Sequence, residues 1–181
     1  MGKKINEQPL LKIYPKVFSI NKATIQDIPL IRELTFKVWP QTYAPILSVD
    51  QINYMLDMMY SEASLEKQMN DGAQFIIVKE GKEPVGFASY QEIEPAIFKL
   101  HKIYVLSSQQ GKGTGRFVID HIIKAIQELK GTSLQLQVNR YNNARSFYER
   151  IGFSVIDEVK LDIGNGFSMD DFIMEKKIPL S

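Results

Sequence analysis

Apolar positions along the chain follow two periods in turn, one of about 3.6 residues and one of two. Val17 to Ile20 reads as a first strand. Thr24 and Asp27 have the spacing of a capping box, and Pro29 suits the first turn of a helix that begins near Asp27. Ile28, Ile31, Leu34 and Val38 give this helix one apolar face. Pro40, which has no N–H to donate, is expected to break it. A second helix starts at Ser48, capped with Gln51, and turns Ile52, Met55, Leu56 and Met59 inward; the methionines there read as core filler. A short third helix, SLEKQM, starts at Ser64.

From Gln74 the period shortens to that of strands. QFIIVKE, a turn at Gly81 to Pro84, and VGFASYQEI form an antiparallel hairpin, and a further strand runs from Ile97 to Leu106. Val118, Ile122, Ile126 and Leu129 then mark a helix with a single buried face, for which Gly131 is the expected C-cap. SLQLQV is the next strand. ARSFYERI is a helix opened by Asn142 or Asn143 and ended by Gly152. VIDEVKLDI and FSMDDFIMEKKI close the chain as a hairpin around Gly164-Asn165-Gly166. This order is α+β, built around one mixed sheet.

Length and composition limit what such a chain can be. Its 181 residues suit one domain, expected over residues 17–181 behind a polar arm at 1–16. A formal charge of +1 argues against a nucleic-acid binder that works by neutralising phosphates. No apolar run reaches the length of a membrane span, and the MGKKIN start has neither a signal-peptide core nor the Ser or Thr of a myristoylation motif, so a cytoplasmic location is expected. With no cysteine, disulfides, thiolate metal sites and a cysteine acyl-enzyme are excluded. His101 and His121 make no metal constellation.

The chemistry concentrates in IFKLHKIYVLSSQQGKGTGR, residues 97 to 116. A strand stops at Leu106, glycines alternate at 111, 113 and 115, and a helix follows directly. Glycines let main-chain N–H groups approach a ligand, and a helix N-terminus adds unpaired donors and partial positive charge; together they suit a phosphate. The P-loop is excluded because Lys112 is followed by Gly113, and the dinucleotide fingerprint because the spacing is G-x-G-x-G. What the loop matches is [Gln/Arg]-x-x-Gly-x-[Gly/Ala], through Gln110-Gly111-Lys112-Gly113-Thr114-Gly115. Further on, Asn142, Ala144, Phe147, Tyr148, Glu149, Gly152 and Phe153 fit N-x-A-x-x-F-Y-E-x-x-G-F, although Asn142 lies one residue closer to the alanine than in the commonest form, which leaves Asn139 as a competing contact.

Both segments, in this order and separation, resemble the GNAT acetyltransferase superfamily, and most closely bacterial spermidine/spermine-type N-acetyltransferases. The resemblance implies a central mixed sheet of six to seven strands with helices on both faces. It also implies a splay between the strands that flank the glycine-loop helix. Acetyl-CoA is the implied co-substrate. Its pantetheine would lie along the backbone of Ile103, Tyr104 and Val105, and its pyrophosphate on the N–H groups of Gln110, Gly111, Lys112, Gly113, Thr114, Gly115 and Arg116. Asn142 would contact the arm or cap its helix.

Direct acetyl transfer needs a polarised carbonyl, a neutral amine and a stabilised thiolate. Tyr148, a phenol that stays protonated at neutral pH, is the implied acid. For the base, His101 has a suitable unperturbed pKa, with Glu92, Glu94 or an ordered water as alternatives. Trp39 and Tyr43, at i and i+4, are the candidate walls of the acceptor site. The implied acceptor is a small amine or polyamine. Other readings are a peptide or protein acetyltransferase, a catalytically silent CoA-binding regulatory module and a nucleotide-binding structural domain. A homodimer built on the final hairpin is a further expectation.

Overall fold

The computed structural model describes residues 17–179; the expected arm at 1–16 lies outside them. In chain order the elements are β1 (Phe18–Lys22), α1 (Ile28–Tyr43), α2 (Val49–Tyr60), α3 (Glu62–Asn70), β2 (Gln74–Glu80), β3 (Glu83–Glu94), β4 (Ile97–Val105), α4 (Thr114–Glu128), β5 (Ser133–Asn139), α5 (Ala144–Arg150), β6 (Ser154–Gly164) and β7 (Phe167–Lys177). Seven strands form one sheet in the order β1-β2-β3-β4-β5-β7-β6. Every neighbouring pair is antiparallel except β4 and β5. Helices cover both faces. On one, Val118, Ile119, Ile122 and Ile126 of α4, with Tyr148 of α5, pack on Phe98, Leu100, Leu134 and Leu136. On the other, Ile31, Leu34, Trp39, Met55, Leu56 and Leu65 of the first three helices pack on Phe75, Ile77 and Phe87.

The strand β4 is paired with β3 as far as Val105, which faces Gly86. A side chain could not fit there: a Cβ on Gly86 would stand 2.5 Å from the Tyr104 carbonyl oxygen. On its other edge β4 meets β5 only over Ile97–Leu100 against Ser133–Leu136. Beyond Leu100 the two strands part, while β5 stays paired with β7 out to Asn139, opposite Asp171. The parting leaves an open cleft in the middle of the sheet.

A bulge sets which face each β4 residue serves. Tyr90 pairs with Leu100 and Ser89 with Lys102, so His101 is an extra residue on β4. An extra residue shifts the side-chain alternation by one. Phe98 and Leu100 therefore face α4, but so does Ile103, whereas Tyr104 joins the cluster under α1 and α2.

Several boundaries depart from the sequence reading. Helix α1 runs through Pro40 to Tyr43. Pro40 and Phe36, the residue whose carbonyl loses its partner, are both exposed, and the opposite face buries Leu34, Val38 and Trp39. A proline inside a helix costs about 3 kcal/mol, and burying large apolar side chains at about 1.5–3 kcal/mol each more than offsets it. The first hairpin turns at Gly81 and Lys82, and Pro84 belongs to β3, next to a bulge. Gly131 is not the left-handed residue after α4. Lys130 is, at φ 63°. Gly131 is small for a different reason: a Cβ there would stand 2.3 Å from Ile126 and 2.8 Å from Phe98. Leu129, expected inside, is exposed at the helix end.

Candidate active site

The glycine loop is held from beneath by a buried side chain that carries no motif. Leu106 closes β4 by donating its N–H to Val85 at 2.8 Å, and a single tight turn, Ser107–Gln109, follows. Gln109 is buried, accepts from Thr114 Oγ1 at 3.0 Å and donates to Glu80 Oε2 at 2.8 Å. Gly111 and Gly113 both have positive φ, 73° and 81°, and nothing lies within 4 Å of where their side chains would be. Gly113 is the N-cap of α4. Among the described residues, the N–H groups of Gly111, Gly113, Thr114, Gly115 and Arg116 have no hydrogen-bond partner. Five unpartnered donors thus lie along an open loop at the positive end of a helix, which is a place for a phosphate. Gly115 has a second reason to be small: a Cβ there would stand 3.3 Å from Phe147, so it brings α4 against α5.

From the loop a cavity of about 1290 Å³ runs through the parting of β4 and β5 to the ends of α1 and α2. It is lined by Ile103, Tyr104 and Val105, by Gln110, Gly111, Gly113, Thr114, Gly115 and Arg116, by Asn142 and Tyr148, and by His101, Trp39 and Tyr43. The site residues singled out from the sequence are therefore brought to one cavity, apart from Lys112, which is exposed and does not line it, and the alternative bases Glu92 and Glu94. Arg116 is also exposed, 3.6 Å from Asp120. Glu92 and Glu94 lie at the far end of β4, where Glu92 accepts the Ala96 N–H at 2.9 Å. Asn142 Oδ1 accepts the Ala144 N–H at 2.9 Å from the position before the N-cap, which is Asn143, and Asn139 Oδ1 accepts the Tyr141 N–H at 3.0 Å.

Tyr148 is only 8% exposed, with its ring against Phe147 and Phe153 at 5.3 and 5.7 Å. Burial raises its pKa, so its hydroxyl holds a proton at any ordinary pH. Across the cleft stands an aromatic wall. Trp39 is 1% exposed and contacts Tyr43, Tyr60 and Tyr104 at ring distances of 4.4, 5.4 and 6.0 Å. Its indole N–H has no hydrogen-bond partner among the described residues. The Tyr43 and Tyr104 hydroxyls are 3.0 Å apart, and burial raises the pKa of both.

Ionisable groups complete this wall. His101, the bulged residue, is exposed yet partly desolvated, and this with the charges of Lys99 and Lys102 pushes its pKa down to about 4. It is neutral at pH 7 and a weak proton acceptor. Lys99 donates to Gln137 Oε1 at 3.0 Å. Lys102 is buried under the Tyr60 ring, its Nζ 4.9 Å from the ring centre, and burial with the charge of Lys99 lowers its pKa to about 8. Asp171 of β7 is buried too, and burial with the charge of Asp170 raises it to about 6 although Lys99 pulls the other way.

Four of these residues escaped the sequence reading: Gln109, Tyr60, Lys102 and Asp171. Two had a signal. Asp171 sits between Met169 and Ile173 in the strand alternation, and Lys102 follows Phe98 and Leu100 at the same spacing. A charge where the period expects an inward apolar residue marks a buried functional group.

No group of three or more His, Cys, Asp or Glu residues capable of holding a metal occurs among the described residues. No helix among them is long and apolar enough to cross a membrane.

Comparison with known proteins agrees with this geometry. Residues 43–175 match the model of the acetyltransferase (GNAT) domain. The chain is 27% identical over 164 residues to a spermidine N(1)-acetyltransferase of Thermoplasma acidophilum, across 87% of this chain and 96% of that one. It is 33% identical over 92 residues to the [Ribosomal protein bS18]-alanine N-acetyltransferase of Haemophilus influenzae, across 49% of this chain and 61% of the relative. Among solved structures, PaiA N-acetyltransferase of Thermoplasma acidophilum, crystallised with coenzyme A, superimposes with a TM-score of 0.76 at 26% identity, covering 89% of this chain and 99% of that one.

Proposed function

The chain belongs to the GNAT acetyltransferases and takes its acetyl group from acetyl-CoA, and we propose that it passes the group directly, with no acyl-enzyme, to the primary amine of a small molecule. The observation that carries this reading is the continuous cavity through the parted strands, with a phosphate-type loop at one end and an aromatic, ionisable pocket at the other. The loop fits the pyrophosphate of the donor because its two left-handed glycines leave open space in front of unpartnered N–H groups. The bulge-shifted stretch Ile103–Val105 has an edge with no strand beside it and fits the pantetheine as an added strand would. Bound acetyl-CoA supplies a thioester, which an amine can attack at its carbonyl carbon.

In this reading the remaining work belongs to two side chains. Asp171 is charged at neutral pH and basic enough, with its raised pKa, to accept a proton from the arriving ammonium at its carboxylate oxygen. It takes the base role in preference to His101, whose basicity its surroundings depress. Tyr148, which also lines the cavity, holds a proton at Oη and gives it to the departing sulfur. Trp39, Tyr43, Tyr60 and Tyr104 form a rigid wall that excludes water from the acceptor. Cysteine is absent from the chain, consistent with transfer in one step.

The test pairs a thermal shift with a product assay. Acetyl-CoA is expected to raise the melting temperature, and incubation with small primary amines to release CoA and acetylated amine in equal amounts. Absence of both overturns the reading. The relative that acts on an alanine of ribosomal protein bS18 favours a second acceptor, a peptide amine, and a short peptide with a free N-terminus belongs in the same assay.

A further inference from the structure

Lys102 is the buried group on the acceptor wall that acetyl transfer leaves unused. It lines the cavity, it is 8% exposed, and among the described residues the Tyr60 ring is the one contact that stabilises its charge. No carboxylate and no hydrogen-bond acceptor reaches its Nζ among the described residues. A ring face offsets only part of the cost of burying an ammonium.

The other charges nearby are already engaged. Lys99 donates to Gln137, and it and Asp171 act on each other as opposite charges. The groups facing Lys102 are Lys99 and His101 on its own strand and Tyr60 of α2, and none of these carries negative charge at neutral pH. Lys102 is therefore a buried cation with no carboxylate against it, at the edge of the space the acceptor occupies, whereas Arg150 and Asp162, which also line the cavity, are exposed.

We propose that the acceptor is a primary amine bearing a carboxylate at its far end, with the amine against Asp171 and the carboxylate against Lys102. This deepens the reading that the acceptor is a small primary amine, and rests on it. A polyamine would place a second ammonium against Lys102, where two cations would share a poorly hydrated pocket.

Three amines with the same five-carbon chain separate the cases: δ-aminovalerate, pentylamine and cadaverine differ only at the remote end. With CoA release as the readout, kcat/KM for δ-aminovalerate is expected to exceed that for cadaverine by about tenfold or more. Lys102→Met is expected to bring that ratio close to one. The preference of the native enzyme should also shrink as pH rises through about 8, as Lys102 loses its proton, and this needs no variant to fold. Faster turnover of cadaverine or pentylamine by the native enzyme overturns the proposal, and so does a ratio that neither Lys102→Met nor pH changes. Release of CoA with the other two amines but not δ-aminovalerate sinks this proposal alone. Release with none of the three, while acetyl-CoA still binds, sinks the small-amine reading along with it.

Discussion

Between Gln110 and Arg116 the cavity wall is main chain, with five N–H groups free to donate and two glycines in the left-handed region. Across the cleft, around Tyr43 and Lys102, the wall is side chains drawn from α1, α2, β4 and β7. The first wall presents what any peptide chain has, arranged by conformation. The second presents particular phenols, ammonium groups and the carboxylate of Asp171, arranged by packing. A ligand common to many enzymes can be held by the first kind of surface, because main-chain donors depend little on which residues carry them. A ligand peculiar to one enzyme needs the second kind.

That contrast can be tested from either side. The largest effect is expected from Tyr148→Phe, which should lower kcat by about a hundredfold or more while acetyl-CoA affinity, measured by titration, stays within about twofold. An unchanged kcat would remove the hydroxyl from the reaction. Asp171→Asn should cost roughly a hundredfold in kcat/KM. It should also erase a pH limb: the native carboxyl is protonated below about pH 6 and accepts nothing there, so kcat/KM climbs as pH rises through about 6. A profile of the same shape in the variant would assign the limb to another group.

On the main-chain side, Gly113→Val meets no neighbouring atom but forces a β-branched residue to φ 81°. Strain of about 1–2 kcal/mol and the filled space should weaken acetyl-CoA binding by about tenfold, with smaller change in amine KM. Equal loss on both ligands would erase the distinction between the walls. The smallest effect belongs to the scaffold. Lys130→Gly relieves a left-handed lysine after α4 and is expected to add about 0.5 kcal/mol of stability in denaturant melts, leaving kinetics alone.

The same contrast explains which parts were legible in the sequence. Glycines at 111, 113 and 115 could be read directly, because a conformation that few residues adopt leaves its mark at fixed spacing. The ARSFYER helix, with Tyr148 on it, was legible for a similar local reason. Lys102 and Asp171 left only a break in the apolar alternation, since what makes them notable is a shared pocket formed by strands about seventy residues apart in the chain. The bulge hid Lys102 further by changing the face it serves. Pro40 misled because helix rules are local, whereas the burial of Trp39 that carries α1 past it is tertiary.

One residue, His101, has a consequence for how the enzyme can change. Because the strand gains a step there, Lys102 turns away from the face Leu100 serves and Ile103 takes it, so two neighbours in the gene live in separate rooms, on the proposed reading one answering to the amine and the other to the thioester arm. Either can be rewritten without disturbing its neighbour's ligand. Excising His101 would leave Leu100 and Lys102 consecutive in a regular ladder on the faces they already serve, so the compartments would survive the loss; drawing His101 into the ladder as an ordinary paired residue would instead turn the ammonium of Lys102 into the greasy compartment beneath α4.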